Sequence, residues 1–242
     1  MELTRRAFCK LMAAISICGC FPDPRMVFAR DKVNTLSGKG GEGMKLPEPK
    51  LVGDVSLETA IHQRRTIRSF DSKALTLKQC SQIFWAAQGI TEPGGYKRAA
   101  PSAGALYPMD VYGVVGNNCI EALNAGVYHY TSAGHTLSPV QQGDKRKDVA
   151  EASLWQMWMA HAPLTLVITA EYSRITVKYR ERGIRYAMIE AGHIGQNIFL
   201  QCQAMGLEAG IVGAFEDQEI IRVLGIGKTH EPLLVMPVGY AG

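Results

Sequence analysis

Residues 186–215, YAMIEAGHIGQNIFLQCQAMGLEAGIVGAF, limit what this chain can fold into more than any other stretch. From Ala191 to Leu207 no side chain carries a formal charge. Ala187, Ala191, Ile194, Ile198, Cys202 and Met205 recur at steps of four, three, four, four and three, the period of a helix. Ile189, Phe199 and Leu200 add apolar surface elsewhere, so the spacing predicts a central helix buried nearly all round. Gln196, Asn197, Gln201 and Gln203 make it too polar to span a bilayer, and Gly206 is a natural stop. Gly210–Phe215 then reads as a short buried strand punctuated by glycine. Gly213 and Ala214 leave the backbone bare where something flat can lie. Taken alone, the stretch fits a plain core helix and strand equally well.

The chain is long enough, at 242 residues, for one sizeable domain with its own core. Its formal charge of +4 is not a nucleic-acid signature: residues 1–29 hold four of the basic and two of the acidic side chains, and the remainder carries +2. No basic run interleaved with aromatics is left, which sets DNA and RNA aside. The first residues read Thr4-Arg5-Arg6-Ala7-Phe8-Cys9-Lys10 and then an apolar stretch to Phe21, a charged region followed by a short hydrophobic one. This resembles a twin-arginine export signal over 1–29, which places the protein in the periplasm or cell envelope. Cleavage after Ala29 competes with a lipobox at Ile17–Cys20 that would anchor the chain through Cys20. Outside the leader Cys80, Cys119 and Cys202 stand alone, so no disulfide framework is implied, and Cys80 and Cys202 fall in helical patterns as small buried hydrophobes. No zinc spacing occurs, and His129 and His135 lack companion ligands in sequence, so no metal is expected.

Residues 30–50, rich in glycine and proline, read as a linker, with the folded domain over 51–242. Ser56 caps a short helix that ends in Arg64-Arg65-Thr66-Ile67-Arg68. Three guanidinium groups and a hydroxyl so close together suit a solvated basic turn or a phosphate monoester, since guanidinium stays charged and offers paired donors. Residues 75–89 form a second amphipathic helix. Pro101-Ser102-Ala103-Gly104-Ala105-Leu106-Tyr107-Pro108 is a platform of small residues between prolines, either a tight turn or a place where a planar ring approaches backbone. A strand over 110–115, a hairpin over 126–140, a helix over 148–160, a strand over 163–170 and a last strand over 232–239 complete an α+β pattern.

The arginine cluster, the small-residue platform and the Glu-Ala-Gly-His-Ile-Gly-Gln-Asn helix occur in one order and jointly resemble the nitroreductase fold family, in particular its SagB-type dehydrogenase branch, over about residues 50–242. The resemblance implies a mixed, mainly antiparallel sheet flanked by helices, FMN bound non-covalently, and a homodimer. It places Arg64, Arg65, Thr66 and Arg68 on the FMN phosphate and ribityl chain, and Pro101, Ser102, Ala103 and Gly104 along the isoalloxazine. Gly213 and Ala214 then present backbone N–H groups to its N5 and O4. Gly192 and Gly195 would allow close helix approach. Many members end in a basic segment that clamps the phosphate; here Val238–Gly242 holds no such residue, which throws more weight on the three arginines. The branch uses a Lys-Tyr pair for proton removal, and both Lys178-Tyr179 and Arg185-Tyr186 fit. A tyrosine serves as acid or base only beside a cation, and each has one.

The expected activity is that of an FMN-dependent oxidoreductase passing hydride to or from flavin N5 outside the cytoplasm, on a small-molecule or peptide substrate. Twin-arginine export carries folded proteins, which suits a chain that must load FMN first. Nicotinamide cofactors stay in the cytoplasm, so an exported member would draw electrons from a substrate, quinone or protein. The competing readings are a cytoplasmic NAD(P)H-dependent nitroreductase or quinone reductase, and a non-catalytic flavin-binding electron carrier.

Overall fold

The computed structural model describes residues 43–242. The export leader, Cys20 and the first part of the linker lie outside the described residues. Strands β1 (Met44–Lys45), β2 (Met109–Val115), β3 (Gly126–Thr131), β4 (Thr136–Gln142), β5 (Leu164–Ala170), β6 (Glu208–Ala209) and β7 (Glu231–Gly239) build one sheet. Its order is β1-β4-β3-β2-β5-β7-β6, and every named pair is antiparallel. The helices are α1 (Leu57–Gln63), α2 (Leu77–Gln88), α3 (Arg146–Ala152), α4 (Ser173–Tyr179), α5 (Arg182–Ala204) and α6 (Asp217–Leu224).

Both faces of the sheet are covered, which explains why every residue of β2 and β5 is buried. On one face Val111, Val115, Leu164, Leu166 and Ile168 pack with Ile83 and Phe84 of α2 and Ile194 and Ile198 of α5. On the other, Tyr112, Val114 and Val167 meet Val149 of α3 and Ile220 and Leu224 of α6. Gly113 leaves room for Phe84: a β-carbon there would stand 2.5 Å from the ring's Cζ, and the ring stacks on Tyr130 at 5.3 Å.

Local chemistry sets the helix ends. Ser56 Oγ accepts from Thr59 N–H at 3.1 Å and caps α1. Thr76 and Gln79 close a capping box on α2.

Four expectations need correction. The linker does not run to residue 50, because Met44 and Lys45 pair with Leu137 and Thr136 and Leu46 is buried in the core. The helix expected over 148–160 is broken: Leu154 and Trp155 take left-handed φ of 55° and 60°, Trp155 turns outward, and a 3₁₀ turn over Met157–His161 brings Met159 into the core. Gly210–Phe215 is not a strand. Strand β6 ends at Ala209, and beyond it the backbone meets β7 only through the Gly210 N–H donated to Pro237 and the pair of hydrogen bonds between Val212 and Val235. Finally, α5 is not buried all round. Ala187, Ala191, Ile194, Ile198 and Cys202 are buried as spaced, but Met188, Ile189, Gly192, His193 and Gln196 form an exposed stripe, Met188 and Ile189 each about half accessible at 52% and 51%.

Candidate functional site

The predicted site residues fall into two groups on either side of α5. The first forms where the chain leaves α1. Thr66 bridges Ala209, and Ile67 N–H donates to the Ala209 carbonyl at 3.0 Å, so the arginine cluster is fixed beside residues 210–214. Arg64 lays its guanidinium over the Phe199 ring of α5 at 5.1 Å. Arg65 turns back and donates to the His62 and Arg64 carbonyls, both at 2.8 Å, closing the end of α1. Neither Arg64, Arg65 nor Arg68 has an acidic partner among the described residues.

The backbone that follows Ala209 is open. Gly210 and Val212 donate to Pro237 and Val235, whereas the Gly213 and Ala214 N–H groups meet no backbone acceptor among the described residues. Both residues are exposed, and a β-carbon on Gly213 would touch nothing within 4 Å. Bare donors beside guanidinium groups that have no acidic partner among the described residues make an anion-seeking surface that a flat group can approach. That donor set fits a phosphate-bearing planar cofactor. The end of the chain lies against the same turn: Asp71 N–H donates to Tyr240, and Gly242 N–H to Ser69.

The second group joins the platform to α4 and the start of α5. Ser102–Tyr107 is strained: Gly104, Ala105 and Tyr107 have φ of 65°, 54° and 47°. Gly104 faces α4 so closely that a β-carbon would stand 2.8 Å from Tyr179 Oη and 3.0 Å from Lys178 Nζ. Tyr179 meets Tyr186 edge to face at 5.1 Å, and Lys178 Nζ lies 5.4 Å from the Tyr179 ring centre. All three candidate proton-handling residues therefore converge on one end of the platform.

One residue at this site had no role in the sequence reading. Glu190, on α5, is 1% exposed. Gln88 donates to its Oε1 at 3.0 Å, and its Oε2 completes no hydrogen bond. Burial pushes its carboxyl up to about 7, against the Ser102 hydroxyl, the Gln88 amide and the Arg98 guanidinium, which favour the ionised form. Glu190 and Phe199 are nine residues apart, about 13 Å of rise and half a turn of azimuth. The two groups thus occupy opposite sides of α5, and no hydrogen bond or ring contact joins them among the described residues.

A cavity of about 680 Å³ lies between residues 48–57, α2 and the second half of α5, and none of the predicted site residues lines it. The histidines have companions that their sequence positions concealed. His135 Nδ1 pairs with Tyr130 Oη at 2.8 Å and Nε2 with Ser81 Oγ at 2.7 Å. His129 pairs with Asp110 at 3.0 Å, and Asp110, Glu171 and His230 form a cluster of metal-ligand type. Arg174 already supplies its cation, at 2.9 Å from Asp110 and 2.6 Å from Glu171. Burial pushes Asp110 up, but the His129 hydrogen bond and Arg174 outweigh it and hold the carboxyl below its ordinary range.

Comparison with known proteins decides the lineage. The model of the nitroreductase family matches residues 61–240. The chain belongs to the nitroreductase family. Membership makes it an oxidoreductase, and its seven-stranded antiparallel sheet with the long α5 is the fold expected of the family. A Methanocaldococcus jannaschii protein assigned as a nitroreductase, MJ1384, is 39% identical over 82% of this chain and 98% of its own length. The microcin B17-processing protein McbC of Escherichia coli is 27% identical over 70% of this chain, and the match spans 64% of McbC. A solved nitroreductase-type structure from Ralstonia eutropha superposes with a TM-score of 0.73 at 28% identity, covering 84% of this chain and 90% of that one. The peptide-processing relative agrees with the resemblance to the SagB-type branch.

Proposed function

We propose that this nitroreductase-family member is an FMN-dependent dehydrogenase of the SagB type, working as a homodimer in the periplasm or cell envelope. The observation that carries the reading is the Thr66–Ala209 bridge, which sets three guanidinium groups beside the Gly213 and Ala214 N–H groups. Among the described residues the guanidinium groups have no acidic partner and the two N–H groups no backbone acceptor. FMN, if held there, would supply two-electron hydride chemistry to the site. Arg64 and Arg68 would hold its phosphate, with Thr66 toward the ribityl chain and Arg65 contributing charge from a guanidinium already committed to α1. The Gly213 and Ala214 N–H groups would hold the ring edge of a bound flavin as donors, favouring the form that carries more electron density. Tyr179, with Lys178 beside it, takes the substrate proton as the carbon gives up hydride; Tyr186 orients the Tyr179 ring.

Because the two groups of residues lie on opposite sides of α5, one chain's phosphate cradle faces its partner's platform rather than its own. The exposed stripe on α5 is the surface for this pairing, with Gly192 leaving open space for a second helix. Met188→Asp should therefore shift the protein from dimer to monomer in light scattering and lower its FMN content together. A variant that remains dimeric at micromolar concentration contradicts this interface.

McbC's name describes a protein that processes microcin B17, which favours a peptide among the substrates open to this chain. Export through the Arg5-Arg6 leader, with either release after Ala29 or lipidation at Cys20, makes NAD(P)H an unsuitable electron source. The test is anaerobic mixing of the flavin-loaded protein with NADPH. The dehydrogenase reading expects no bleaching within the time of catalysis; rapid bleaching would instead identify an NAD(P)H-dependent reductase.

A further inference from the structure

Residues 46–50, the strap that follows β1, are held by side chains rather than by a strand ladder. Pro47 and Pro49 have no N–H to give, so pairing cannot run on from β1. Gln82 of α2 takes the Lys50 N–H at 2.8 Å and returns its own amide to the Lys50 carbonyl at 3.0 Å. Leu46 N–H donates to the His135 carbonyl at 2.9 Å. Between these ties three side chains converge on Pro47. Ser81 Oγ donates to the Pro47 carbonyl at 2.5 Å. His135 Nε2 lies 2.7 Å from Ser81 Oγ and 3.1 Å from the same carbonyl, and His135 Nδ1 lies 2.8 Å from Tyr130 Oη. Ser81 and Tyr130 are both buried. His135 reaches this position from the β3–β4 turn with a left-handed φ of 52°, which a residue other than glycine keeps only where its surroundings hold it.

The donors and acceptors balance in one way. Ser81 has a single hydrogen and gives it to Pro47, so Ser81 Oγ faces His135 with a lone pair. Both partners of Nε2 are then acceptors, and Nε2 carries the ring proton. Nδ1 keeps its lone pair, and the Tyr130 hydroxyl donates to it. The imidazole is neutral and every group is satisfied. A second proton has only Nδ1 to bind, where it meets the Tyr130 hydrogen. That hydroxyl has no other hydrogen-bond partner among the described residues, so protonation leaves a buried donor without an acceptor.

Little around the ring offsets a positive charge. The strap contributes Lys45 and Glu48, both exposed and paired with each other at 3.5 Å. From α2 come neutral Ser81 and Gln82 and the Cys80 thiol, which burial pushes up to about 12. Strand β3 contributes Tyr130 and Tyr128, the latter committed to the Asn124 carbonyl, while the turn and the start of β4 bring no charged side chain. The Arg98 guanidinium acts on Tyr130 from the loop after α2. Burial accordingly holds the His135 imidazole below the ordinary histidine range, against the Pro47 hydrogen bond and Glu48.

We propose that His135 is an acid-released latch: neutral, it ties residues 46–50 to α2 and the β3–β4 turn, and protonated, it lets that strap go. The strap runs into one wall of the 680 Å³ cavity, residues 48–57, which faces α2 and α5. Release at Pro47 loosens that wall. The exchange consumes one proton from solvent and breaks no covalent bond. Its sign follows from the two forms. Latched His135 is held low and released His135 returns to about 6.5, so the released form takes the extra proton first. Latching is at full strength above about pH 6.5 and weakens as pH falls from there through the latched value, by up to about tenfold for each pH unit. None of the latch residues belongs to the arginine cluster or the platform, so the latch stands apart from the flavin reading.

The test uses the full-length protein as purified. Amide exchange at Leu46 and Lys50, each divided by its intrinsic rate at the same pH, follows the strap. Imidazole ¹⁵N NMR follows the latch, with His135→Asn assigning the His135 signals; asparagine tolerates the left-handed φ. The wild type should show a proton on His135 Nε2 and none on Nδ1 near neutrality, and a His135 midpoint below about 6.5. Protection of both amides should be level in weak base and fall by up to about tenfold per pH unit below the ordinary histidine pKa, while amides of β2 and β5 keep theirs. His135→Asn should lower strap protection near neutrality and remove its dependence on pH. A proton on Nδ1 with Nε2 bare, a midpoint at or above the ordinary histidine value, or wild-type strap protection that stays level into acid overturns the proposal. So does a pH dependence that survives His135→Asn. Should that variant not fold, the wild-type tautomer and strap protection decide the matter.

Discussion

Arg64→Ala combined with Arg68→Ala should yield a folded protein without FMN. The two side chains have no acidic partners among the described residues, so neither is needed to neutralise a carboxylate in the domain. Their removal costs the fold little beyond the contact of half-buried Arg64 with the buried Phe199 ring, a cation–π pair of about 0.5–2 kcal/mol. The effect on the cofactor is of another size. A hydrogen bond to a charged group contributes about 1.5–3 kcal/mol, so losing one at each arginine should weaken FMN binding roughly a hundredfold to ten-thousandfold. Arg65→Ala should act differently. Its guanidinium closes α1 through the His62 and Arg64 carbonyls, so the change should lower thermal stability as well as affinity. Fluorescence titration of the cofactor-free proteins measures the affinities, and circular dichroism shows whether they are folded. A double variant that retains FMN at wild-type affinity would remove the arginine cluster from the site.

Tyr179→Phe should leave a yellow protein that turns over roughly a hundredfold to ten-thousandfold more slowly, the usual contribution of a positioned acid or base. Phenylalanine keeps the ring against Tyr186 and removes only the hydroxyl that lies over Gly104. Lys178→Met should reduce turnover in the same direction by removing the cation beside that hydroxyl. Tyr186→Phe should cost much less, because its ring rather than its hydroxyl makes the contact with Tyr179. Equal losses for Tyr179→Phe and Tyr186→Phe would show that proton transfer is shared, and no loss for either would place it elsewhere. Gly104→Ala provides an independent check on the geometry. It forces a β-carbon to within 2.8 Å of Tyr179 Oη at a φ of 65°, and should depress turnover without touching the phosphate cradle.

Periodicity revealed the core of this fold, and it did so where burial comes from the chain itself. Ala187, Ile194, Ile198 and Cys202 on α5 and the runs in β2 and β5 lie where their spacing put them. The same pattern misled where an apolar side chain has another use. Met188 and Ile189 are as hydrophobic as their neighbours, and sequence alone does not separate a residue that packs on its own core from one that awaits a second subunit. Left-handed backbone at Ala105, Tyr107, Leu154 and Trp155 left no trace, since none is glycine, and so the platform's strain and the break after α3 emerged only in three dimensions. Glu190 was legible in the sequence. It follows Ala187 by three and precedes Ile194 by four, which puts an acid on the buried stripe of a helix otherwise free of charge there. The companions of His129 and His135 come from distant strands and helices, beyond the reach of local spacing.

The measurement that bears most directly on the whole account is the absorbance spectrum of the purified protein, followed by denaturation and identification of what it releases. The account predicts a yellow protein with a flavin spectrum that gives up FMN at about one molecule per chain, the number set by one arginine cluster and one bare Gly213-Ala214 edge in each. A colourless protein that stays colourless after incubation with FMN would contradict it, and would leave the cluster as a basic turn on a family member that no longer binds flavin.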